Sequence, residues 1–226
     1  MPQTPTIKDF AVKTSINPAC AGSVFLETSE CKIVCEIEGP SISGAKNVQS
    51  IQVRIEDTTV DKIIEQTLGD DDFEKDKELK VKRVELEQVL TSITENLVRM
   101  EEYPNMELAI TFKIFENRMN IKQYLALALS MALVHSGIQT NTIMVPCAIA
   151  KTEDGDYILD PKQTEWESSI SKLFICFDIE QDEVIHMESS CSKAQSLEEI
   201  NKMIDILKLA GKEYSKLIFE KINMEN

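Results

Sequence analysis

The chain has 226 residues, 42% of them hydrophobic, which is enough to bury a sizeable core. Its 24 basic and 39 acidic residues give a formal net charge of −15, which repels polyanions and argues against tight nucleic-acid binding by the chain alone. No apolar run approaches the ~20 residues of a membrane-spanning helix, and the start, MPQTPTIKDF, lacks the basic and apolar segments of a secretion signal. We therefore expect neither membrane insertion nor secretion.

The cysteines are scattered, and most lie in apolar, strand-like runs, where a free thiol behaves as a small buried hydrophobe. They are Cys20, Cys31, Cys35, Cys147, Cys176 and Cys191. Cys31 and Cys35 have the spacing of half a metal site, but only His135 and His186 could add imidazole ligands, and no second close pair of cysteines exists. We expect reduced core cysteines, with no metal and no cofactor.

The first quarter of the chain predicts β-strands. An opening strand is expected near Ile7 to Thr14, followed by a hairpin that pairs Ser23 to Thr28 with Lys32 to Glu38. The dipeptide Gly39-Pro40 is expected to end that hairpin. Ser50 to Glu56 repeats the alternation of apolar and polar residues and predicts another strand with one buried face.

An acidic run, Gly69 to Glu78, separates these strands from a helix. The run is predicted to be a solvated loop, and a docking tail for a basic partner is the alternative. After it, apolar residues from Leu86 to Met100 recur at helical spacing until Tyr103-Pro104, so a long amphipathic helix lying on a sheet is expected.

The most informative stretch predicts a strand at Met106 to Glu116, an apolar helix containing Tyr124 to Val134, and a strand at Asn141 to Thr152. A helix that is apolar on most of its circumference must be buried on several sides, so we expect it at the centre of the fold. The turn before it, Glu116 to Asn120, stands where free backbone N–H groups could bind an anion. It contains no glycine.

The remaining residues predict a further hairpin, Lys172 to Ile179 with Glu183 to Glu188, and a final helix. Ser196 and Glu199 have the spacing of a capping box at the start of that helix. Three helices on mixed sheets predict an α+β (α/β layered) class and a single domain over residues 1–226.

The order of these motifs resembles the ribonuclease PH family, and in particular the ring subunits of the RNA exosome. The resemblance is carried by Gly22-Ser23, Gly39-Pro40, Tyr103-Pro104, Ser136-Gly137-Ile138, Leu159-Asp160-Pro161, Glu165 and Glu167. It implies a ribonuclease PH-like fold of two stacked βαβ-type layers and a place in a hetero-hexameric ring of related subunits around an RNA channel. It also implies a location in the nucleus, including the nucleolus, and in the cytoplasm.

Catalytic members of this family are phosphorolytic exoribonucleases, which need positive groups around the attacking phosphate. Their Gly-Gly-Ser/Thr-Arg turn before the buried helix would place its glycines near Arg118 and Met119, its hydroxyl near Asn120 and its arginine near Ile121. That phosphate cradle is not reproduced here. Arg118 or Lys122 could replace part of its charge.

The resemblance also implies an acidic pair, which acts as an acid or holds a metal near the leaving oxygen. Asp160 matches the first position, whereas the second falls near Trp166, between Glu165 and Glu167. An Asp before Pro also commonly fixes a turn through its side chain, and this structural interpretation of Asp160 is equally good.

Basic residues near the implied channel give a set of RNA-contact candidates by analogy, with ordinary solvated charges as the alternative. The candidates are Lys82, Arg83, Arg118 and Lys122. Since Ile121, Asp160 and Trp166 form a degenerate catalytic set, the sequence predicts a non-catalytic exosome ring subunit that contacts RNA mainly through the assembled complex. The alternatives are an active phosphate-dependent 3′–5′ exoribonuclease and an acidic protein-binding adaptor outside any ring.

Overall fold

The computed structural model describes residues 8–42, 49–57, 73–178, 180–192 and 194–225, with the side chains of 73–78 and 223–225 left out of the description. The strands are β1 (Ala11–Thr14), β2 (Gly22–Glu27), β3 (Cys31–Ile42), β4 (Ser50–Asp57), β5 (Met106–Asn117), β6 (Met144–Lys151), β7 (Tyr157–Leu159), β8 (Ser171–Asp178) and β9 (Glu183–Cys191). The helices are α1 (Phe73–Leu97), α2 (Ile121–Ser136), α3 (Gln163–Ser168) and α4 (Leu197–Glu225).

The strands form two sheets, one of five strands in the order β1-β2-β3-β5-β4 and one of four in the order β7-β6-β8-β9. Every pairing is antiparallel except that of β4 with β5. The predicted first hairpin is confirmed, with Val24 opposite Cys35 and Leu26 opposite Ile33. The alternation of apolar and polar residues sends these four side chains into the core, where all are fully buried.

Helix α2 lies between the two sheets, as its apolar circumference predicts. Every residue from Gln123 to Leu133 is buried, and the helix packs against β2 and β3 on one side and β6 on the other. Close approach to β2 requires glycine at position 22, because a Cβ atom there would stand 2.5 Å from the carbonyl oxygen of Ala132. The α+β class and the layered arrangement of sheets against helices are confirmed.

The second sheet is covered by α4. Its residues Leu207, Tyr214 and Ile218 are buried, and Ser196 and Glu199 form the predicted capping box, with each side chain bonded to the other's backbone N–H. Leu197, the first residue of α4, is 72% exposed.

Two predicted strand boundaries in the first half are wrong. Strand β1 begins at Ala11 and not near Ile7, which lies outside the described residues, because the backbone N–H of Lys8 donates to Asp160 instead of to a strand partner. Strand β3 does not end at Gly39-Pro40 but continues to Ile42 through an interruption of its register with β5. Gly39 has φ of 105°, and a Cβ atom there would stand 2.6 Å from a β5 carbonyl oxygen.

The acidic run and the helix after it also differ from prediction. Residues 73–78 are helical, because Glu and Lys are good helix formers, while residues 69–72 lie outside the described part of the chain. Helix α1 ends at Leu97 and not at Tyr103-Pro104, since Val98 leaves the helix to pair with Thr140. A single turn of 3-10 helix, Met100–Glu102, fills the gap before β5.

The later strands confirm the sequence pattern, but the helix count does not. Strands β6, β8 and β9 are found in the predicted regions, although β6 begins at Met144 and not at Asn141, and β9 continues to Cys191 and not only to Glu188. The short strand β7 follows a turn at Gly155. The short helix α3 was not predicted, because six residues are too few to show a period. Within the described residues there are thus four helices and not three.

Buried side chains from both sheets and from α1, α2 and α4 join in one continuous hydrophobic cluster. Cys31, Cys35, Cys147 and Cys176 belong to it, as predicted, and burial raises the pKa of each thiol. Cys20 is partly exposed and Cys191 is exposed. Of the described helices, none is both long and apolar enough to cross a membrane.

Candidate functional site

A cleft of about 520 Å³ opens at the start of α2, between α1, α3 and β9. Four sequence-predicted residues meet there: Lys82, Ile121, Lys122 and Trp166. The remaining lining residues are Glu85, Leu86, Gln88, Val89, Asn120, Gln163 and Glu188. A smaller cavity of about 110 Å³ shares Lys82, Leu86 and Ile121 with this cleft and is also lined by Arg83. The fold therefore gathers most of the predicted positions around one helix terminus.

Trp166 reaches the cleft because α3 is anchored beside the turn that precedes α2. The backbone of Lys162 pairs with Met119, and the carboxylate of Glu165 accepts from the Lys162 N–H at 2.7 Å to cap the helix. Neither the indole of Trp166 nor the side chain of Ile121 can supply an acid or a cation. These two positions thus line the cleft as apolar wall.

Lys122, on the first turn of α2, forms an ion pair with Glu188 of β9. The other oxygen of that carboxylate, Oε1, lies 3.0 Å from Nε2 of His186. The hydrogen bond from His186 and the ion pair with Lys122 together lower the pKa of Glu188 to about 2. Lys122 therefore already has a counter-ion within the chain.

Arg118 lies in the turn before α2 but is not among the residues that line either cavity of the described chain. Its side chain is 75% exposed, with Nε 3.9 Å from Oε1 of Glu116. Its backbone N–H donates to Glu30 at 2.9 Å and its carbonyl accepts from Gln163 at 3.2 Å. The side chain of Arg118 is thus far more exposed than that of Lys122, which is 23% exposed, and the backbone of Arg118 fixes the turn.

Asp160 lies on the opposite side of the same helix terminus and is 2% exposed. Its Oδ1 accepts from the side-chain amide of Gln123, and its Oδ2 accepts from the hydroxyl of Tyr214 and from the backbone N–H of Lys8 at 3.2 Å. The Nζ of Lys8 donates to the Asp160 carbonyl at 2.9 Å. Both carboxylate oxygens are thus occupied by donors from within the chain.

Burial raises the pKa of Asp160, although the hydrogen bonds from Tyr214, Gln123 and Lys8 oppose this shift. The residue has φ of 49°, in the left-handed region that Asp tolerates better than most residues. The carbonyl of Pro161 accepts from the N–H of Asn120 at 3.3 Å, which joins this turn to the start of α2. Among the described contacts, the carboxylate of Asp160 bonds Gln123, Tyr214 and Lys8, which are distant in sequence, so it ties separate parts of the chain together instead of fixing its own turn.

Asn120 stands at the N-cap of α2 and is 5% exposed. Among the described residues its side chain makes no capping hydrogen bond, and its Nδ2 has no partner. Asn120 lies among the residues that line the cleft.

Sequence reasoning missed Glu188, Gln123, Tyr214 and Lys8. His186 and Glu188 are two residues apart on a strand, so their side chains share a face, and this period could have signalled the pair. The partners of Asp160 come from a helix 37 residues before it and from another 54 residues after it. No local sequence pattern predicts contacts between residues so far apart in the chain. Across the described residues, no group of three or more His, Cys, Asp or Glu could hold a metal ion.

Residues 6–139 match the model of the 3′ exoribonuclease family, domain 1, which is the ribonuclease PH model. The chain belongs to this family. The predicted resemblance to ribonuclease PH is therefore confirmed, and the match covers the turn before α2 and α2 itself.

Two relatives extend the comparison beyond residue 139. The chain is 24% identical to the exosome complex component ski6 of Schizosaccharomyces pombe over 187 residues, which are 82% of this chain and 75% of that protein. It superposes on the crystal structure of rice (Oryza sativa) Rrp46 with a TM-score of 0.79 at 17% identity, covering 98% of this chain and 97% of the other. The fold of the family thus extends through α4.

Proposed function

We propose that this chain is a non-catalytic subunit of an exosome ring, made of related ribonuclease PH-like subunits, and that it works as a single domain in 3′–5′ RNA processing and degradation. The family membership and the similarity to ski6 support the exosome assignment. RNA would meet the chain within the assembled complex, because a net charge of −15 repels a polyanion. Nuclear, nucleolar and cytoplasmic locations follow from the same assignment.

The burial of Asp160 is the observation that best supports the proposed absence of catalysis. A general acid or a metal-holding carboxylate must reach the leaving oxygen within hydrogen-bonding distance. Asp160 is 2% exposed, and its two oxygens accept from Gln123, Tyr214 and Lys8. On the cleft side, Ile121 and Trp166 offer no charged group to a phosphate or a leaving group.

Assembly is tested by co-expressing the chain with the other subunits of its exosome ring, followed by affinity purification and size-exclusion chromatography. We expect a stoichiometric complex and a higher melting temperature in it than for the chain alone, because ring closure buries subunit surface. An unrelated acidic protein of similar net charge is the control and should not co-purify. A stable monomer whose melting ignores the added subunits would support the adaptor alternative instead.

Catalytic inactivity is tested by incubating the purified chain with single-stranded RNA and inorganic phosphate. We expect no release of nucleoside diphosphates. Release that is lost in the Asp160→Asn variant would identify the chain as an active phosphorolytic enzyme and would overturn the non-catalytic part of the proposal while leaving the ring assignment intact.

A further inference from the structure

Residues 8–10, which we call the strap, connect the turn at Asp160 to the start of β1. The backbone N–H of Lys8 donates to Oδ2 of Asp160 at 3.2 Å, and the Nζ of Lys8 donates to the carbonyl of Asp160 at 2.9 Å. Among the described residues that donate to this carboxylate, only Lys8 is partly exposed, because Gln123 and Tyr214 are buried. Lys8 therefore stands on the side of Asp160 that is nearest to solvent.

The other two residues of the strap fasten it to α4, the helix that covers the second sheet. Phe10 is 2% exposed, and its ring stacks on that of Tyr214 with the two centroids 6.5 Å apart. The hydroxyl of the same tyrosine donates to Asp160. Asp9 forms an ion pair with Lys221 at 3.2 Å, but its side chain is 81% exposed, so this contact stabilises little. The strap thus joins the Asp160 turn and α4 to the first sheet, to which β1 belongs.

We propose that the strap is a removable cover over Asp160, which opens while both sheets stay folded. When it opens, the backbone N–H of Lys8 leaves the carboxylate and Phe10 uncovers the ring of Tyr214. Solvent then reaches an acid that the closed fold encloses. The inference goes beyond the proposed function, because it concerns a local motion of this chain and not its assembly or its contact with RNA.

The strap opens separately because few contacts hold it in place. It precedes β1, which is four residues long and lies at the edge of the first sheet. The other donors to Asp160 are fixed more firmly, since Gln123 lies on the buried helix α2 and Tyr214 belongs to the continuous hydrophobic cluster. A segment held by a few hydrogen bonds and one ring contact opens at a lower free energy than a core of this kind.

The test is the labelling of carboxylates with a water-soluble carbodiimide and glycine ethyl ester in the folded chain, followed by peptide mapping by mass spectrometry. The native chain is compared with the Lys8→Pro variant, in which proline removes both the N–H and the Nζ that bond Asp160. We expect Asp160 to be labelled at least about tenfold faster in this variant. The matched control is Lys13→Ala, which removes a lysine of β1 outside the strap and should leave the labelling of Asp160 unchanged.

Glu36 is the internal reference for unfolding of the whole chain. It lies on the first sheet, is 9% exposed, and bonds Lys113 and Asn17. Its labelling should stay slow in Lys8→Pro. Equal labelling of Asp160 in the native chain and in Lys8→Pro would overturn the proposal, and so would an equal rise at Glu36 or in the Lys13→Ala control.

If Lys8→Pro does not fold, the native chain in increasing concentrations of urea decides. A strap that opens locally exposes Asp160 to the reagent at urea concentrations below those that expose Glu36. Labelling of both carboxylates at the same urea concentration would mean that only unfolding of the whole chain uncovers Asp160, and the proposal would fail. Neither readout requires RNA cleavage or ring assembly, so the outcome is independent of the proposed function.

Discussion

Two carboxylates flank the start of α2, and their surroundings shift their pKa values in opposite directions. The buried carboxylate of Asp160 accepts from an amide, a hydroxyl and a backbone N–H, and the loss of water raises its pKa. Glu188 stands in the cleft beside Lys122 and His186, and their attraction lowers its pKa to about 2. Desolvation dominates on the buried side, whereas hydrogen bonding and charge pairing dominate on the open side.

Neighbouring residues of α2 create this contrast. Gln123 bonds Asp160 and Lys122 bonds Glu188, and consecutive helical residues project about 100° apart, so one turn serves two environments. A residue at a family's acidic position can thus be present and still have no route to a substrate, and a cation in the expected place can be neutralised by a strand that is distant in sequence. Residue identity alone does not reveal either condition.

Removing the buried carboxylate should have the largest effect. In Asp160→Ala, the Gln123 amide keeps its 3.2 Å bond to the Tyr214 hydroxyl, but that hydroxyl and the backbone N–H of Lys8 lose their acceptor. Stranding these donors costs more than relief of the desolvated charge returns. Alanine also tolerates the left-handed backbone at this position less well than Asp. We expect a loss of about 2–3 kcal/mol in the free energy of unfolding, measured by urea denaturation.

The matched control for this variant is Asp160→Asn, which keeps one acceptor oxygen and the tolerance of the left-handed region, and which should lose less stability. If Asp160→Ala unfolds at the same urea concentration as the native chain, the enclosed network does not stabilise the fold. The contrast with Glu188 would then rest on exposure alone.

Lowering the pH should destabilise the folded chain through Glu188, which lines the cleft. Its pKa is lowered from 4.5 to about 2 in the folded chain, so its contribution to stability is present above pH 4.5 and is lost as the pH falls through about 2. Because the side chain is 34% exposed, solvent screening reduces this contribution to about 1–2 kcal/mol. Asp160 has the opposite sign, since a raised pKa favours the folded state as the pH falls.

The measurement is the difference in unfolding free energy between the native chain and Glu188→Gln at pH 7 and at the lowest pH where both fold. The native chain should be more stable at pH 7, and the difference should shrink as the solution becomes more acid. A constant difference over this range would mean that the ion pair with Lys122 makes no pH-dependent contribution.

The sequence predicts those elements that depend on the local spacing of hydrophobic residues. It does not predict features that depend on contacts between residues far apart in the chain. The buried helix α2 and the hairpin of β2 with β3 follow from hydrophobic spacing, and both are confirmed. The end of β3 was misplaced, because the Gly39-Pro40 pair usually stops a strand but here only interrupts the pairing with β5. The end of α1 was misplaced because Val98 has a partner after α2.

The site followed the same rule. The family resemblance pointed to Ile121, Lys122 and Trp166, and all three line one cleft in the structure. The enclosure of Asp160 was beyond prediction, because its partner Tyr214 lies on a helix whose docking depends on the whole second sheet. Burial and pairing are properties of the folded chain, and they decide here what a retained residue can do.

The smallest effect concerns RNA, and it separates Lys122 from the other candidate cations. The slope of binding against salt reports the number of phosphate contacts, at about 0.7 unit for each contact with a single strand. Because Lys122 is paired with Glu188, replacing it by alanine in an assembled ring should change this slope by less than the value for one full contact. Replacing Lys82, Arg83 and Arg118 together should lower it by about one to two units if they face the RNA path.

Fluorescence anisotropy of labelled single-stranded RNA at several salt concentrations measures both slopes, with size-exclusion chromatography to verify that each variant ring stays intact. An unchanged slope in the triple variant would identify these residues as ordinary solvated charges, and a loss of about 0.7 unit with Lys122 alone would mean that RNA displaces Glu188 from its partner.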